Sequence, residues 1–398
     1  MSLKVIIVGG GIGGTAAALA LTRAGCDVRI FEQAQIKSEV GAGIQISPNA
    51  TRLLQRYGLG EALKPLAVRP QAIEARRWDN GAILMREELG AAVETAYGAP
   101  YYHFHRGDLL SVLSDALPRG VLQTAQCCVS VTETDDGVRA QFEDGSFVDG
   151  DLLVGADGIH STVRRVLFGD ERPRFSANVA YRGLAPAERL NHLGLPHNAT
   201  IWMGPGGHFV HYFVSGGRYV NFVAVHEQAN WERESWTDRG TVDDARRRYA
   251  GWHPQIHAIL GAVDETFKWA LFDRAPLEKW SAGRITLLGD ACHPMLPYMA
   301  QGAAQAIEDG ATLAACLAGV SRSDVAAALQ RYEILRKPRT ASIQGAARGN
   351  AITFHLPDGP EQRERDTAMG ASTGLSPSRA ALFGFDAEAL DRPPSGAS

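Results

Sequence analysis

The sequence predicts an α/β fold in which a parallel sheet near the start of the chain is combined with a mostly antiparallel sheet in the middle and helices towards the end. Three observations support this prediction. Residues 4–33 follow the order strand, glycine turn, helix, strand. Residues 174–275 contain runs that alternate with a period of two, joined by a hairpin signal at Ser215-Gly216-Gly217. From about residue 303 the chain is rich in alanine, which favours helix.

The composition limits the classes of protein that need to be considered. The chain has 398 residues, of which 45% are hydrophobic, and a net charge of −4. Its length suits one large or two interlocked domains, and its mild acidity gives no electrostatic reason to expect nucleic acid or an anionic membrane as partner. Five cysteines lack CxxC spacing, and His103 and His105 lack a third ligand, so no metal site is predicted. Without a signal peptide or an apolar run of membrane-spanning length, we expect a soluble cytoplasmic protein.

The first strand leads into a nucleotide-binding motif. Gly9, Gly11 and Gly14 fill the G-x-G-x-x-G positions directly after the β-branched residues 5–8. The first glycine permits the turn, the second lets the backbone approach a pyrophosphate, and the third allows close packing of helix on strand. Glu32 ends the second strand, where a carboxylate can accept hydrogen bonds from ribose hydroxyls. These residues predict a Rossmann-like domain and leave open whether the dinucleotide is FAD or NAD.

The chain after Glu32 departs from the repeated βα units of an NAD domain. Residues 38–63 predict a glycine-rich loop and a helix, and residues 105–117 predict a helix entered through Arg106. Short strands with Asp-Gly turns follow, and the last of them ends at Asp157 and could rejoin the first sheet. A buried strand ending at Asp290 precedes predicted helices at about 303–317 and 324–336, and the tail from about 370 is predicted to be partly ordered at best.

Five segments carry a family resemblance: GGGIGG, GAGIQISPN, HRGDLL, GADGIHSTVR and LLGDACHPMLPYMAQGAAQAIEDG. In this order they resemble the single-component flavoprotein aromatic monooxygenases. More narrowly, they are similar to the group of salicylate hydroxylase, 3-hydroxybenzoate 6-hydroxylase and 6-hydroxynicotinate 3-monooxygenase. The resemblance implies bound FAD, NADH or NADPH as a transient reductant, and O₂ as co-substrate. We expect an FAD-binding domain (1–173 and 276–345), a substrate domain (174–275, with contributions from about 65–105) and a partly flexible C-terminal extension (346–398).

The resemblance also assigns cofactor contacts. Arg106 is expected to pair with the phosphate region, Asp157 to contact both FAD and the pyridine nucleotide, and Asp290 to accept a hydrogen bond from a ribityl or ribose hydroxyl. The helix that follows should point its N-terminus at the flavin edge where negative charge develops on reduction. Arg164 is a candidate contact for the pyridine nucleotide. Together with the three glycines and Glu32, the predicted cofactor-binding residues are Gly43, Ile44, Arg106, Asp157, Asp290, Gly302 and Ala303.

The substrate of such an enzyme is an electron-rich ring, because a flavin C4a-hydroperoxide delivers an electrophilic oxygen. A phenol becomes more nucleophilic as its proton moves to a base. His208 and Tyr212 project from one strand face, and residues of these types face the substrate in the resembled group, so we predict that they act as base or proton relay and orient the phenol. Their alternative role is packing within the sheet. The other predicted substrate contacts are Gln45, Pro297, Tyr298 and Met299.

The expected reaction is hydroxylation of a salicylate-like aromatic acid, with loss of CO₂ if the attacked carbon carries the carboxylate. Gln45 and Tyr298 stand where 6-hydroxynicotinate enzymes have histidines, and Met299 stands where 3-hydroxybenzoate 6-hydroxylases have glutamine. Three alternatives stay open: an N-heteroaromatic acid such as 6-hydroxynicotinate as substrate, a flavin dehydrogenase or reductase, and a non-catalytic FAD-binding protein. The sequence does not decide whether Arg182 or a histidine binds the substrate carboxylate, or whether the protein is a homodimer.

Overall fold

The structure, a computed structural model, describes residues 2–35, 42–229, 239–371 and 374–389. Part of the predicted glycine-rich loop (38–41) and the end of the predicted C-terminal extension (390–398) lie outside the described residues. Runs of strands are separated by helices along the chain. The strands are β1 (Lys4–Val8), β2 (Asp27–Phe31), β3 (Gly43–Ile46), β4 (Ala72–Arg77), β5 (Ile83–Glu88), β6 (Tyr102–His105), β7 (Leu122–Gln123), β8 (Cys128–Thr134), β9 (Gly137–Phe142), β10 (Phe147–Gly150), β11 (Leu152–Gly155), β12 (Arg174–Pro186), β13 (Ala199–Gly204), β14 (Gly207–Val214), β15 (Tyr219–Glu227), β16 (Arg239–Gly240), β17 (Thr266–Asp273), β18 (Ser281–Ala282) and β19 (Ile285–Leu287).

The helices complete the predicted α/β fold. They are α1 (Ile12–Arg23), α2 (Pro48–Arg56), α3 (Gly60–Leu63), α4 (Gly90–Tyr97), α5 (Arg106–Asp115), α6 (Thr162–Phe168), α7 (Val242–Arg248), α8 (Pro254–Gly261), α9 (Gly302–Leu317), α10 (Val325–Phe354), α11 (Pro360–Gly370) and α12 (Pro377–Gly384). None of the helices in the described ranges combines the length and apolar character needed to cross a bilayer.

The first sheet is mostly parallel. Within the described chain its order is β18-β19-β11-β1-β2-β7. Strand β11, which precedes Asp157, pairs in parallel with β1, so it rejoins the first sheet as predicted. Helices α1 and α9 cross at close range against this sheet, because a Cβ at Gly310 would lie only 2.7 Å from the Cα of Ala17. The glycine therefore brings the middle turns of two helices from distant parts of the sequence side by side.

The second large sheet is mostly antiparallel, as the sequence predicts. Its order in the described chain is β16-β17-β12-β15-β14-β13-β4-β5, and the pair of β13 with β4 is parallel. The predicted hairpin joins β14 to β15 and sets their register, with Tyr212 opposite Asn221. His208 and Tyr212 lie on the same face of β14 and are both buried.

Two smaller sheets connect these layers. Strand β3 pairs with β6, which places Gln45 opposite His103, so the two histidines near residue 104 are strand residues as predicted. Strands β8, β9 and β10 form an antiparallel sheet whose turns fall at the predicted Asp-Gly positions. Strands β4 and β5, from the range 65–105, join the large antiparallel sheet. The division into domains itself stays a prediction.

The C-terminal helices differ from the sequence-based expectation. Helix α10 does not end near residue 336 but continues to Phe354, across the proposed boundary at 345/346. Pro338 lies within it, and both Pro338 and Ile334, four residues earlier, are exposed. The carbonyl that the proline leaves without an N–H partner is therefore on the solvent side, where the proline is tolerated. Helix α12 lies in the predicted partly ordered tail and buries Leu382 and Phe383.

Candidate active site

The turn between β1 and α1 is shaped for a phosphate group. Gly9 adopts φ of +106°, and a Cβ at Gly14 would lie 2.0 Å from the carbonyl oxygen of Gly9. These two glycines are required by the turn itself. A Cβ at Gly11, in contrast, would meet no atom of the described residues within 4 Å. In this part of the chain no side chain caps α1 and no acidic residue lies in its first turn, so its first N–H groups can bind an anion.

Glu32 is held in place beside this turn. Its Oε2 accepts a hydrogen bond from the backbone N–H of Gly10 at 2.7 Å, and its Oε1 accepts one from that of Ala34 at 2.8 Å. The carboxylate is thereby fixed at the end of β2, on the same side as the glycine turn. Its contact with a ribose stays a prediction.

The start of helix α9 offers a second open N-terminus. The helix begins at Gly302, one residue before the predicted Ala303, and within the described chain it has no capping side chain and no acidic residue in its first turn. A Cβ at Gly302 would meet no described atom within 4 Å. Asp290 is exposed between two buried neighbours, and a Cβ at the preceding Gly289 would touch Ala306 of this helix at 3.2 Å. An exposed carboxylate and an uncapped helix therefore lie on neighbouring parts of the fold.

Arg106 links several predicted contacts. Its side chain is exposed at the start of α5, and its charge influences both Asp290 and Arg182. Its backbone N–H donates to the carbonyl of Ala42 at 2.8 Å, which fixes α5 to the segment that leads into Gly43. The predicted phosphate-binding arginine and the predicted ribityl-binding aspartate thus lie within electrostatic reach of each other.

Asp157 and Arg164 have structural partners inside the chain. Asp157 accepts hydrogen bonds from the hydroxyl of Ser161 at 2.5 Å and from the N–H of Val163 at 3.1 Å, so it caps the turn before α6. The expectation that Arg164 serves the pyridine nucleotide is wrong. Arg164 is 5% exposed and donates to the carbonyls of Ala291 and Ile159, which fixes the segment around Asp290 instead.

A buried cluster of charged side chains between α9 and α10 was not predicted from the sequence. The fully buried Arg336 of α10 bonds Glu308 at 2.5 Å and Asp309 at 2.7 Å. Asp309 also bonds Nε2 of His293 at 2.6 Å, and Glu308 accepts from the amide of Asn49 at 2.5 Å. Burial alone would raise the pKa of Asp309, but its interactions with His293 and Arg336 lower that pKa to about 2. The cluster joins α9 to α2, α10 and the loop after Asp290.

His208 and Tyr298 meet on the buried face of the antiparallel sheet. Their rings are 5.0 Å apart, edge to face. Burial lowers the pKa of His208 well below its ordinary value, so its imidazole is neutral near pH 7. Its Nδ1 lies 2.7 Å from Nε2 of His355, and among the described residues its Nε2 makes no hydrogen bond. The hydroxyl of Tyr298 is also buried without a hydrogen-bond partner in the described chain.

The segment that carries Tyr298 is a short turn. Pro297 is the exposed first residue of this turn, and Met299 is the last. Asn350 of α10 donates to the carbonyl of Tyr298 at 3.2 Å and contacts the sulfur of Met299 at 3.0 Å. The extended α10 therefore supports the loop directly, which explains why the helix continues beyond its predicted end.

Tyr212 belongs to a second group further along the same face. It lies four residues from His208, ~13 Å away in an extended strand. Burial raises the pKa of Tyr212 to about 12, although Arg182 and a hydrogen bond with Gln45 oppose this effect. Gln45 also accepts a hydrogen bond from the hydroxyl of Tyr101 at 2.7 Å. The structure therefore brings Tyr298 to His208 and Gln45 to Tyr212, at two ends of one surface.

Arg182 and Asn221 join this surface to the predicted flavin-binding segment. Asn221 accepts from the N–H of Gly43 at 2.7 Å, and a Cβ at Gly43 would lie 2.4 Å from its side chain. Arg182 donates to the carbonyl of Gly43 at 3.3 Å and stacks on Trp269. Its Nε is buried without a partner among the described residues, and burial lowers its pKa to about 10. The predicted hairpin already implies the position of Asn221 opposite Tyr212, so this residue could have been found from the sequence.

Comparison with known proteins decides the family. The chain matches the FAD binding domain family over residues 2–346. The chain belongs to this family. It is 44% identical over 384 residues to a 3-amino-4-hydroxybenzoate 2-monooxygenase of Streptomyces platensis, covering 96% of each chain. A 6-hydroxynicotinate 3-monooxygenase of Bordetella bronchiseptica is 39% identical over 87% of this chain and 91% of the relative. A solved salicylate hydroxylase substrate complex has a TM-score of 0.83 at 27% identity, covering 98% of this chain and 97% of that chain.

These similarities confirm the predicted class, an FAD-dependent aromatic monooxygenase, and FAD as its cofactor. The residues present fit the cofactor. An open space lies in front of the uncapped α1, and a fixed carboxylate stands at the end of β2. A second uncapped helix begins near the exposed Asp290. The individual contacts of these residues with FAD stay predictions.

The roles of the second and third glycines of the motif, cofactor approach and helix packing, can be separated by substitution. We expect Gly11→Val to fold but to bind FAD at least about tenfold more weakly, a loss of ~1.4 kcal/mol. The backbone at Gly11, with φ of −69°, suits any residue, and a side chain there enters only the space expected for the pyrophosphate. FAD fluorescence titration and thermal unfolding of the FAD-free protein measure the two properties.

The matched variant is Gly14→Val, whose Cβ collides with the backbone of Gly9. This protein should lose its folded yield as well as its FAD. If Gly11→Val binds FAD as tightly as the wild type, the pyrophosphate does not lie at this turn.

Proposed function

We propose that this protein hydroxylates a benzoate that carries a phenolic hydroxyl group, with 3-amino-4-hydroxybenzoate as the first candidate. The reductant is NADH or NADPH and the oxidant is O₂. The observation that carries the proposal is the neutral, buried His208, whose ring packs edge to face with Tyr298, a tyrosine whose hydroxyl is buried without a partner in the described chain. The 44% identity to an aminohydroxybenzoate enzyme, against 27% to the salicylate hydroxylase structure, favours this ring over salicylate.

The chemistry of the chain centres on one proton. Bound FAD, once reduced, supplies an electrophilic oxygen derived from O₂. His208 accepts the phenolic proton at Nε2, because its Nδ1 is engaged with His355. Loss of this proton raises the electron density of the ring and makes it a better nucleophile. Tyr298 can donate its hydroxyl hydrogen to a substrate oxygen, which holds the ring against the sheet.

Arg182 is the residue that we assign to the substrate carboxylate. It interacts with Tyr212 at the far end of the surface from His208, and its buried Nε lacks an acceptor within the described chain. A carboxylate supplies the acceptor oxygen that this buried donor requires. A ring with hydroxyl and carboxylate in para positions holds these two groups at its opposite ends, as the placement of His208 and Arg182 requires. The two groups of salicylate are adjacent on the ring, so this placement again favours a 4-hydroxybenzoate.

The deciding assay measures NADH and NADPH oxidation by the FAD-loaded protein together with product mass. The panel holds 3-amino-4-hydroxybenzoate, 3- and 4-hydroxybenzoate, salicylate and 6-hydroxynicotinate. We expect 3-amino-4-hydroxybenzoate to accelerate oxidation and to gain one oxygen without losing CO₂. Faster oxidation with only H₂O₂ as product means that the pocket accepts the compound but does not hydroxylate it. No response to any acid contradicts the proposal and favours a dehydrogenase or a non-catalytic protein.

Removal of the Arg182 charge should affect binding more than chemistry. We expect Arg182→Met to raise KM for the aromatic acid by roughly tenfold to a hundredfold, because a charge-assisted hydrogen bond contributes about 1.5–3 kcal/mol. The value of kcat at saturation should change by less than about threefold. The control is Arg189→Met, which removes an exposed arginine paired with Asp264. An unchanged KM in Arg182→Met would assign the carboxylate to another residue.

A cytoplasmic location and a homodimer stay predictions. Size-exclusion chromatography with light scattering of the FAD-loaded protein measures the oligomeric state. The candidate N-heteroaromatic substrate 6-hydroxynicotinate rests on the 39% identity to its monooxygenase in Bordetella bronchiseptica. It is tested in the same panel.

A further inference from the structure

We infer that His208, His355 and Glu227 form a proton relay that carries the substrate's phenolic proton from the buried site to a surface cavity. The inference rests on the proposed function, because the proton comes from the phenolic substrate. It assigns roles to two residues, His355 and Glu227, that lie outside every motif of the family resemblance. His355 follows the last turn of α10, and Glu227 is the last residue of β15.

The three side chains form a continuous path from the interior to the surface. Nδ1 of His208 lies 2.7 Å from Nε2 of His355. Nδ1 of His355 lies 3.4 Å from Oε1 of Glu227. The two histidines are 2% and 5% exposed, whereas the side chain of Glu227 is 60% exposed. His355 therefore contacts a different partner with each of its two nitrogens, as a relay requires, and His208 keeps its Nε2 for the substrate proton.

The path ends at a place where water can collect. A cavity of about 430 Å³ is lined by both His355 and Glu227. Its other charged lining residues are Arg174, Arg348 and Asp273, and both arginines bond to Asp273. These three residues largely satisfy one another, and Glu227 is the acidic residue of the cavity that contacts His355.

The chemistry of His208 makes such an exit necessary. Burial lowers the pKa of His208 well below its ordinary value and that of His355 to about 4, so neither ring can store an additional proton near pH 7. A proton accepted at one nitrogen must therefore leave from the other. A base that could not pass on its proton would hold the substrate as the neutral, less reactive phenol.

The transfers balance with one proton entering and one leaving. The substrate O–H bond breaks and an N–H bond forms at Nε2 of His208, while its Nδ1 proton passes to Nε2 of His355. The Nδ1 proton of His355 passes to the carboxylate of Glu227, which releases it to water. No group is oxidised or reduced in these transfers. Transfers in reverse order return a proton to the product phenolate and restore the starting tautomers.

Two substitutions interrupt the relay without touching the substrate. The side chain introduced by His355→Gln can accept a hydrogen bond from His208 but cannot transmit a proton. The substitution Glu227→Gln keeps the size of the exposed side chain but removes the basic carboxylate that takes up the proton. The matched control is Glu188→Gln, another exposed glutamate, which does not line this cavity. Each FAD-loaded variant is mixed with 3-amino-4-hydroxybenzoate and a pH indicator in stopped flow. The bound phenolate is followed by its ultraviolet absorbance.

We expect phenolate formation and proton release to slow by about tenfold in Glu227→Gln and by about a hundredfold in His355→Gln, with the Kd of the acid unchanged. Added formate, which can enter the cavity, should restore the rate in Glu227→Gln but not in His355→Gln. A purely structural role would not produce this rescue. Wild-type rates in both variants, or equal losses in Glu188→Gln, overturn the relay.

A second measurement does not depend on the substrate. Imidazole ¹H–¹⁵N spectra of the FAD-loaded protein should show both histidines neutral, each protonated at Nδ1. Protonation of His208 at Nε2 instead overturns the relay, because that nitrogen could not accept the substrate proton. If the wild type hydroxylates no acid of the panel, the proposed function fails, and these spectra still decide whether the relay exists.

Discussion

Replacement of His208 by glutamine is expected to lower the rate of oxygen insertion by about 10²- to 10⁴-fold, the usual contribution of a general base. Glutamine keeps a polar side chain next to Tyr298 but cannot accept the phenolic proton. FAD content and binding of the aromatic acid should change little, so NADH oxidation continues and yields H₂O₂ instead of hydroxylated product. Single-turnover oxidation of the reduced variant, with the product identified by mass, measures the loss.

The matched control for this variant lies on the same strand. His211 is 4% exposed on the opposite face of β14, where its Nδ1 accepts a hydrogen bond from the indole of Trp202 at 3.4 Å. We expect His211→Gln to keep the rate of oxygen insertion within about threefold of the wild type, because glutamine can accept the same bond. Equal losses in the two variants would mean that His208 supports the sheet and is not the base.

The fold was largely predictable because its decisive signals are local. The glycine motif between β1 and α1 and the hairpin between β14 and β15 each occupy a short stretch, and each determines its own backbone geometry. The end of α10 was not predictable in this way. Pro338 normally predicts a helix boundary, and only the packing of the helix on the loop of Tyr298 shows why it continues.

The site was predictable in part for the same reason. The shared face of His208 and Tyr212 follows from the period of a strand, whatever the rest of the fold does. The contact of His208 with His355 joins residues 147 positions apart, and no spacing rule reports such a pair. The position of the Arg182 side chain likewise depends on its hydrogen bond to the carbonyl of Gly43, which lies in another sheet. Residues that assemble only through tertiary packing are the ones that the sequence did not reveal.

Loss of the positive charge of Arg336, which is buried between α10 and α9, should produce the largest effect on stability. We expect Arg336→Met to reduce the free energy of unfolding by about 3–5 kcal/mol, the usual cost of leaving a buried charge without its partner. Arg336 is fully buried between Glu308 and Asp309, which share its guanidinium. Methionine fills part of the volume but leaves both carboxylates in the interior with fewer partners, Arg339 for Glu308 and His293 for Asp309. Urea unfolding of the FAD-free protein at pH 7 measures the change.

The pH dependence distinguishes this cause from a simple packing defect. In the wild type the pKa of Asp309 is about 2, so the stability that its charge contributes is present above the pKa of an unfolded aspartate and is lost only as the pH falls towards 2. In Arg336→Met the buried carboxylates should have raised pKa values. Protonation then favours the folded state, and the deficit relative to the wild type should shrink between pH 7 and pH 5.

The exposed Arg331 on the same helix provides the control, since Arg331→Met should change stability by less than about 0.5 kcal/mol. A deficit in Arg336→Met that stays constant with pH would indicate lost packing and not the loss of a positive charge beside the two carboxylates. Because the same cluster holds the N-terminal half of α9 against α2 and the loop after Asp290, the variant should also bind FAD more weakly. A variant that lost stability but kept full FAD affinity would show that the cluster supports the fold without positioning the helix for the cofactor.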